Sequence, residues 1–259
     1  MEKNYQAVAD YVFEGQKNRK EITKITKDLA KDYTVEDAYK AQEVLLDLWK
    51  KEGAKLLAPK MGLTSKAKWD QMGVDSPIVG YIFEDMIETM NEIQFDRYIH
   101  PKVEPEIGIV LKKNLKGNDL TIQDVLDNID YVFSCVEVID SRYENFDFDL
   151  VSVIADNTSA AGAVFGNEKT DPKAFDLSKE TVKLYVNDEI YAEGDGSAVL
   201  GHPAEAIVAL AKHLNQYGEE VKAGQPIMTG GITAAPLIQP GDKIRVEYDH
   251  LQNLEITVR

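Results

Sequence analysis

Three glutamates carry the clearest chemistry in this chain. In Lys102-Val103-Glu104-Pro105-Glu106-Ile107-Gly108-Ile109-Val110-Leu111, a two-residue strand period puts Glu104 and Glu106 on one face, about 6.5 to 7 Å apart along it. Ile107, Ile109 and Leu111 then point to the opposite, core-facing side, and Pro105 suggests an edge or bulged strand. Glu137 interrupts the apolar run Phe133-Ser134-Cys135-Val136-Glu137-Val138-Ile139, where an ionised side chain is costly to bury without a positive partner. Three carboxylates from two strands could form an open oxygen cage for Mg2+ or Mn2+, with water and substrate oxygens filling the remaining positions. Two readings stay open here. Taken alone, Glu-x-Glu is more simply a solvated strand face, with Glu137 paired to Arg142 or to a lysine. A lone acid inside so apolar a strand weakens that alternative, because a metal accounts for all three acids at once.

The elements that must position these acids follow from apolar spacing. Residues 1–54 read as a helical N-terminal segment, clearest from Thr34, which can cap with Asp37 three residues on, through Ala38, Ala41, Leu45 and Leu48 to a stop at Gly53. Residues 55–259 read as a β-rich core, with the whole chain expected to form one structural unit. Strand-like runs lie around 103–111, 131–139, 182–187, 189–193, 243–248 and 253–258, with Asn187-Asp188 and Pro240-Gly241-Asp242 as turns. Two helices interrupt them, one opening at Thr121 with Asp124 three residues later, the other running from Pro203 to Gly218. Helices and strands do not alternate regularly, which argues for an α+β fold. No Gly-x-Gly-x-x-Gly opens a helix and no phosphate-binding loop is present, so a nucleotide cofactor is not supported.

Composition narrows the partners. With 259 residues and 44% hydrophobic content the chain can bury a substantial core. Lys+Arg 29 against Asp+Glu 45 gives a formal charge of -16, which opposes binding to nucleic acid or an anionic membrane. An acidic protein handling an anionic substrate needs local positive charge, from a cation or from directed Lys and Arg. Cys135 has no second cysteine to pair with and reads as a buried small hydrophobe in a reducing compartment. The N-terminus lacks a basic stretch followed by an apolar core, and no segment reaches the roughly 18 apolar residues of a spanning helix. A cytoplasmic protein is expected.

Several segments together resemble the hydratase and decarboxylase branch of the fumarylacetoacetate hydrolase superfamily, over nearly the whole chain. They are Lys60-Met61-Gly62-Leu63-Thr64-Ser65, Gly73-Val74-Asp75-Ser76-Pro77, Pro101-Lys102-Val103-Glu104-Pro105-Glu106, Val136-Glu137-Val138-Ile139-Asp140-Ser141-Arg142, Ala155-Asp156-Asn157-Thr158-Ser159 and Leu200-Gly201-His202-Pro203. Within the branch, Ser141-Arg142-Tyr143-Glu144-Asn145-Phe146 and Met228-Thr229-Gly230-Gly231-Ile232-Thr233-Ala234-Ala235 look more like the decarboxylases than the hydratases. The resemblance implies a mixed β-roll core, a Mg2+ or Mn2+ cofactor, and a place in meta-cleavage degradation of aromatic compounds. It implies decarboxylation of 2-oxo-3-hexenedioate, a small 2-oxo dicarboxylate. Glu104, Glu106 and Glu137 stand at its metal-ligand positions and Lys60 at its active-site lysine, with Asp75 and Ser159 lining the substrate pocket.

Each role has a plainer alternative. Lys60 can direct positive charge at developing enolate charge, or be a solvated lysine. Asp75 can accept a proton, or cap the turn at Ser76-Pro77. Backbone amides of Thr229, Gly230 and Gly231 can approach a substrate carboxylate, or form an ordinary turn. Asp156 with Asn157 orients the pocket or braces a loop; Ser159 donates to a carboxylate or to backbone. Leu63 and Thr64 join the substrate-binding set. His100 and His202, each next to proline, are left out. The main rival activity is hydration of 2-hydroxypenta-2,4-dienoate. Acylpyruvate-type hydrolysis lacks its histidine and acid pair, and a non-catalytic partner of a pathway hydratase is the reading from another class. A complex with such a hydratase and a homo-oligomer are the expected associations.

Overall fold

The structure, a computed structural model, describes residues 3–65, 69, 74 and 76–259. Asp75, one of the expected catalytic residues, lies outside the described residues. The N-terminal part consists of helices α1 (Tyr5–Lys17), α2 (Ile25–Asp28) and α3 (Val35–Lys51). The Thr34 hydroxyl accepts from the Asp37 amide at 3.3 Å while the Asp37 carboxylate accepts from the Thr34 amide at 2.8 Å, so the expected cap opens α3. The same box, Thr121 with Asp124, opens α4 (Ile122–Leu126). The buried face of α3, Ala38, Ala41 and Leu45, packs with Val8 and Val12 of α1 and with Val153, Ile154 and Ala155 of α5 (Leu150–Ala155). The N-terminal helices therefore share an apolar cluster with residues far along the chain.

Among the described residues, eleven strands form two sheets. The first has the spatial order β2 (Ile78–Phe83), β1 (Leu56–Gly62), β9 (Pro226–Met228), β4 (Lys102–Leu111), β5 (Ile129–Ile139), β6 (Ala160–Phe165). The second has the order β3 (Glu92–Ile93), β11 (Leu254–Val258), β10 (Lys243–Tyr248), β7 (Thr181–Val186), β8 (Glu189–Asp195). Only β1 with β9 and β3 with β11 are parallel. The first sheet curls until its edge strands β2 and β6 meet, giving the expected mixed roll.

Side-chain alternation divides the roll into two faces. Ile107, Ile109, Leu111, Val136 and Val138 point outward. They pack against Val182, Leu184, Ile244, Val246 and Ile256 of the second sheet and against Ile207, Leu210 and Ala211 of α6 (Pro203–Gln216). Val110, Phe133, Cys135, Ala163 and Met228 point inward and fill one end of the roll. The other end of that inner face carries the glutamates. No helix among the described residues is long and apolar enough to cross a membrane.

Pro105 marks neither an edge nor a bulge. β4 lies inside the sheet, and its register with β5 runs unbroken through Pro105 opposite Val136. Proline fits because β9 pairs with β4 at Gly108, Ile109 and Val110 and stops short of position 105. There the neighbouring chain is an irregular segment, whose Ile232 amide donates to the Pro105 carbonyl at 3.0 Å. The Phe133 ring lies across Gly108, where an added Cβ would come within 2.2 Å of the ring. Gly108→Ala should lower unfolding free energy by about 1 to 3 kcal/mol through overpacking, measured by denaturant titration; an unchanged midpoint would show that this contact yields freely.

Candidate metal centre

Pairing of β4 with β5 brings the three acids together. Glu104 faces Glu137 across the ladder and Glu106 faces Cys135, so Glu137 is directly opposite one acid and diagonal to the other. Carboxylate oxygens of all three lie within 4.8 Å of one another. Their exposures of 7%, 0% and 1% for Glu104, Glu106 and Glu137 exclude a solvated strand face. Glu137 has a lysine partner, as one of the alternatives required: Lys60 Nζ lies 2.8 Å from its Oε1 and donates to the Thr158 carbonyl at 2.7 Å. Lys60 reaches it because β1, β9 and β4 align Lys60, Met228 and Gly108 on one rung of the sheet. At 2% exposure it is no surface lysine. Arg142 is committed elsewhere: its Nε and a terminal nitrogen donate to the side chain and carbonyl of Asp156 and the other terminal nitrogen donates to the Ala160 carbonyl, all buried.

The segment after β9 supplies the other wall. The Gly230 amide donates to Glu106 Oε2 at 2.8 Å, and the Thr229 amide and hydroxyl both donate to the Ile107 carbonyl. Two of the amides expected to meet a substrate carboxylate thus serve the protein itself, one by orienting a glutamate. The pair of glycines is required by proximity. A Cβ on Gly230 would lie 2.1 Å from the Thr64 hydroxyl and one on Gly231 would lie 2.2 Å from Glu104 Oε2.

Burial raises the pKa of Glu106 well above the ordinary glutamate value, with the Glu137 charge adding to it and the Gly230 hydrogen bond opposing it. Burial also raises Glu137, against the pull of the Lys60 ammonium. Fully ionised, three carboxylates and one ammonium sum to -2, the charge that one divalent cation neutralises. The donors fit such an ion. They are hard oxygens, and Glu106 Oε1 is buried without a protein donor. One oxygen from each of the three acids lies within 4.8 Å of the others, near enough to share one such ion.

Around this centre, Thr64 is buried against Gly230 and its carbonyl accepts from the Leu200 amide at 2.9 Å. Leu63, half-buried and with φ of 52°, packs on the helical cluster. Ser159 is buried with its hydroxyl unpartnered, at the end of the turn that holds Lys60. Asp156 lies behind that turn, bound by Arg142, and burial pushes its carboxyl up to about 6 despite that partner. The Cys135 thiol is buried and raised by burial and by Glu106, in keeping with an inert hydrophobe. His100 Nε2 donates to the Ser141 carbonyl, and His202 caps α6 by accepting the Ala204 amide at Nδ1, both loop contacts. Asn157, read with Asp156 as orienting the pocket or bracing a loop, bonds through its carboxamide to the Tyr81 backbone of β2. A cavity of about 1200 Å³ between α3 and α6, lined by Tyr39, Ile78, Leu200 and His213 among others, does not include the glutamates. The buried charges, rather than the volume, locate the chemistry.

Residues 63–259 match the family described as fumarylacetoacetate (FAA) hydrolase C-terminal. The chain is 42% identical over 246 residues to 4-oxalocrotonate decarboxylase of Pseudomonas putida, covering 95% of this chain and 93% of the relative. It is 34% identical over 220 residues to 2-keto-4-pentenoate hydratase 1 of Dechloromonas aromatica (strain RCB), covering 85% and 84%. Among solved structures, 4-oxalocrotonate decarboxylase from Pseudomonas putida G7, complexed with magnesium and adipate, superposes with a TM-score of 0.95 at 40% identity over 98% of this chain and 97% of that one.

Two outcomes follow from the geometry. Because Glu106 and Glu137 are raised, the folded metal-free protein retains protons that the unfolded chain releases near the ordinary glutamate value of 4.5. Its stability therefore falls as pH rises above that value, and a divalent ion, which binds the ionised carboxylates, offsets the fall. The gain in Tm on saturation with Mg2+ should grow between about pH 5 and pH 8 in thermal scans; a gain that shrinks over this range would contradict the coupling. Gly231→Ala, by displacing Glu104, should weaken Mg2+ binding about tenfold or more in calorimetry, whereas unchanged affinity would remove Glu104 from the ligand set.

Proposed function

The chain belongs to the fumarylacetoacetate hydrolase family, and on that premise we propose that it is a divalent-metal-dependent carboxy-lyase. It converts 2-oxo-3-hexenedioate (4-oxalocrotonate) to 2-hydroxypenta-2,4-dienoate and CO2. The observation that carries this reading is the buried triad Glu104, Glu106 and Glu137 beside Lys60, on a chain 42% identical to a decarboxylase of that name. Mg2+ is the proposed ion, in line with the magnesium complex of the similar structure, and Mn2+ suits the same oxygen donors.

Held by the three glutamates, the ion supplies Lewis-acid stabilisation of charge developing on the substrate 2-oxygen. The reaction balances within the substrate. As the C6 carboxylate leaves as CO2, the C5–C6 bonding pair becomes the C4–C5 π bond, the C3–C4 π pair moves to C2–C3, and negative charge reaches the 2-oxygen. One proton there completes the product. Lys60, held by Glu137 and Thr158, directs its remaining N–H bond at that charge and serves as the proton donor. The Gly231 amide and the Thr64 and Ser159 hydroxyls bind substrate carboxylate, Leu63 lines the apolar stretch, and Thr229 and Gly230 shape the wall. Asp156 acts from behind by bracing the 157–159 turn, and Asp75 is the second proton-handling group. Residues 1–54 and 55–259 act as one structural unit, in the cytoplasm, within meta-cleavage degradation of aromatic compounds. A homo-oligomer and a complex with the pathway hydratase are part of the same proposal.

A comparison of substrates with added Mg2+ tests the reaction: CO2 release from 2-oxo-3-hexenedioate is expected, and rapid hydration of 2-hydroxypenta-2,4-dienoate without CO2 release would replace decarboxylase by hydratase. Glu104→Gln should lose Mg2+ binding and activity together. Lys60→Met should keep Mg2+ binding while kcat falls by about a hundredfold or more; full activity in that variant would remove the lysine from the chemistry.

A further inference from the structure

Asn157, Thr158 and Ser159 have φ angles of 49°, 56° and 56°, a left-handed run of non-glycine residues that persists only where the surroundings hold it. The hold comes from β2, at the edge of the roll. The Tyr81 amide donates to Asn157 Oδ1 at 2.9 Å and Asn157 Nδ2 donates to the Tyr81 carbonyl at 2.8 Å. One carboxamide, on a residue only 1% exposed, thus supplies both ladder bonds that a neighbouring strand residue would make. One residue on, the Thr158 hydroxyl donates to the Val79 carbonyl at 2.9 Å, and the Thr158 carbonyl accepts from Lys60 at 2.7 Å. Gly80 lies between these anchors. A Cβ there would come within 2.6 Å of the Asn157 carbonyl and 3.0 Å of Lys60 Cε, so edge strand, turn and lysine stem meet at one point.

We propose that Asn157 is the positioning residue for Lys60: by standing in for the missing strand beside Tyr81, its carboxamide locks the left-handed turn whose Thr158 carbonyl holds the ammonium on Glu137. The Asn157 carboxamide bonds to Tyr81, not to the triad, and reaches the lysine through the turn it locks. Its kinetic consequence rests on the role proposed above for Lys60; its structural consequence does not.

Two variants separate this role from general bracing. Asn157→Ala removes both bonds, and Asn157→Asp keeps the size and the acceptor for the Tyr81 amide but sets a carboxylate oxygen against the Tyr81 carbonyl. Mg2+-saturated protein is treated briefly with acetic anhydride, and acetylation of Lys60 is measured by peptide mass spectrometry relative to the exposed Lys40. Lys60 should react about tenfold faster or more in either folded variant than in the unmodified chain. Should Asn157→Ala fail to fold, Asn157→Asp and Gly80→Ala, which crowds the same point from β2, give the same reading. Wild-type Lys60 reactivity in the folded variants overturns the proposal.

In assays, kcat should fall about tenfold or more while Mg2+ affinity changes by less than about threefold, and Asn157→Asp should cause no further loss of kcat in a Lys60→Met background. Additive losses in that double variant would overturn the proposal by showing that Asn157 acts independently of the lysine. If Lys60→Met proves fully active, the proposed role of the lysine fails while the acetylation result still decides what Asn157 holds.

Discussion

Three carboxylates within 4.8 Å of one another and removed from water repel each other, by about 3.5 kcal/mol or more per ionised pair at an effective dielectric near 20. The sheet that carries them offers little to offset this. Lys60 compensates one charge, and the Gly230 amide stabilises an oxygen of another. A divalent ion, bound by all three, offsets their mutual repulsion. The centre is consequently a place where the fold accepts unfavourable electrostatics for the sake of a ligand, and every neighbouring element has to keep the acids from turning away from one another.

Much of the surrounding structure serves that end. The second sheet reaches through to the roll: the Tyr248 hydroxyl lies 3.0 Å from the carbonyls of both Glu106 and Cys135, the cross-strand pair beneath the acids, with one proton shared between them. On the far side, β2 would present open backbone groups where the roll closes. Helix α3 covers one of these stretches, with the Val79 amide donating to the Tyr39 hydroxyl at 3.3 Å and Gln42 donating to the Val79 carbonyl at 2.8 Å. Asn157 covers the next. The N-terminal helices are thereby tied to the strand that flanks Lys60, and edge satisfaction and lysine placement become one problem.

Much of this could be read from residues in order. Both capping boxes were visible because each is a local pattern of Thr and Asp at fixed spacing. The alternation of 102–111 gave the common face of Glu104 and Glu106, and the apolar setting of Glu137 marked it as an acid needing a partner. The strands that complete the roll were hidden. Pro59 and Gly62 break the pattern of β1, β6 opens with Ala160-Ala161-Gly162-Ala163 instead of β-branched residues, and β9 is three residues long. Burial on both faces also erases the alternation on which strand recognition depends. The same limit explains Pro105, read as an edge when it is the length of β9 that makes room for it. The commitment of the Gly230 amide to Glu106, and of Asn157 to Tyr81, joins residues 124 and 76 positions apart, where spacing carries no signal.

Charge also constrains how substrate is held. The chain as a whole carries -16, so a 2-oxo dicarboxylate gains no attraction from its long-range field. With a divalent ion in place the triad and Lys60 sum to zero, leaving the substrate charges to be met by short-range contacts alone. Chelation at the ion and hydrogen bonds from nearby hydroxyls and amides are directional, and they fail if a donor moves by an ångström. A site that cannot draw its substrate in by field strength depends on preorganised donors, which is why the lysine is tied down by two acceptors and why the turn behind it is held in a conformation that an unsupported chain would abandon.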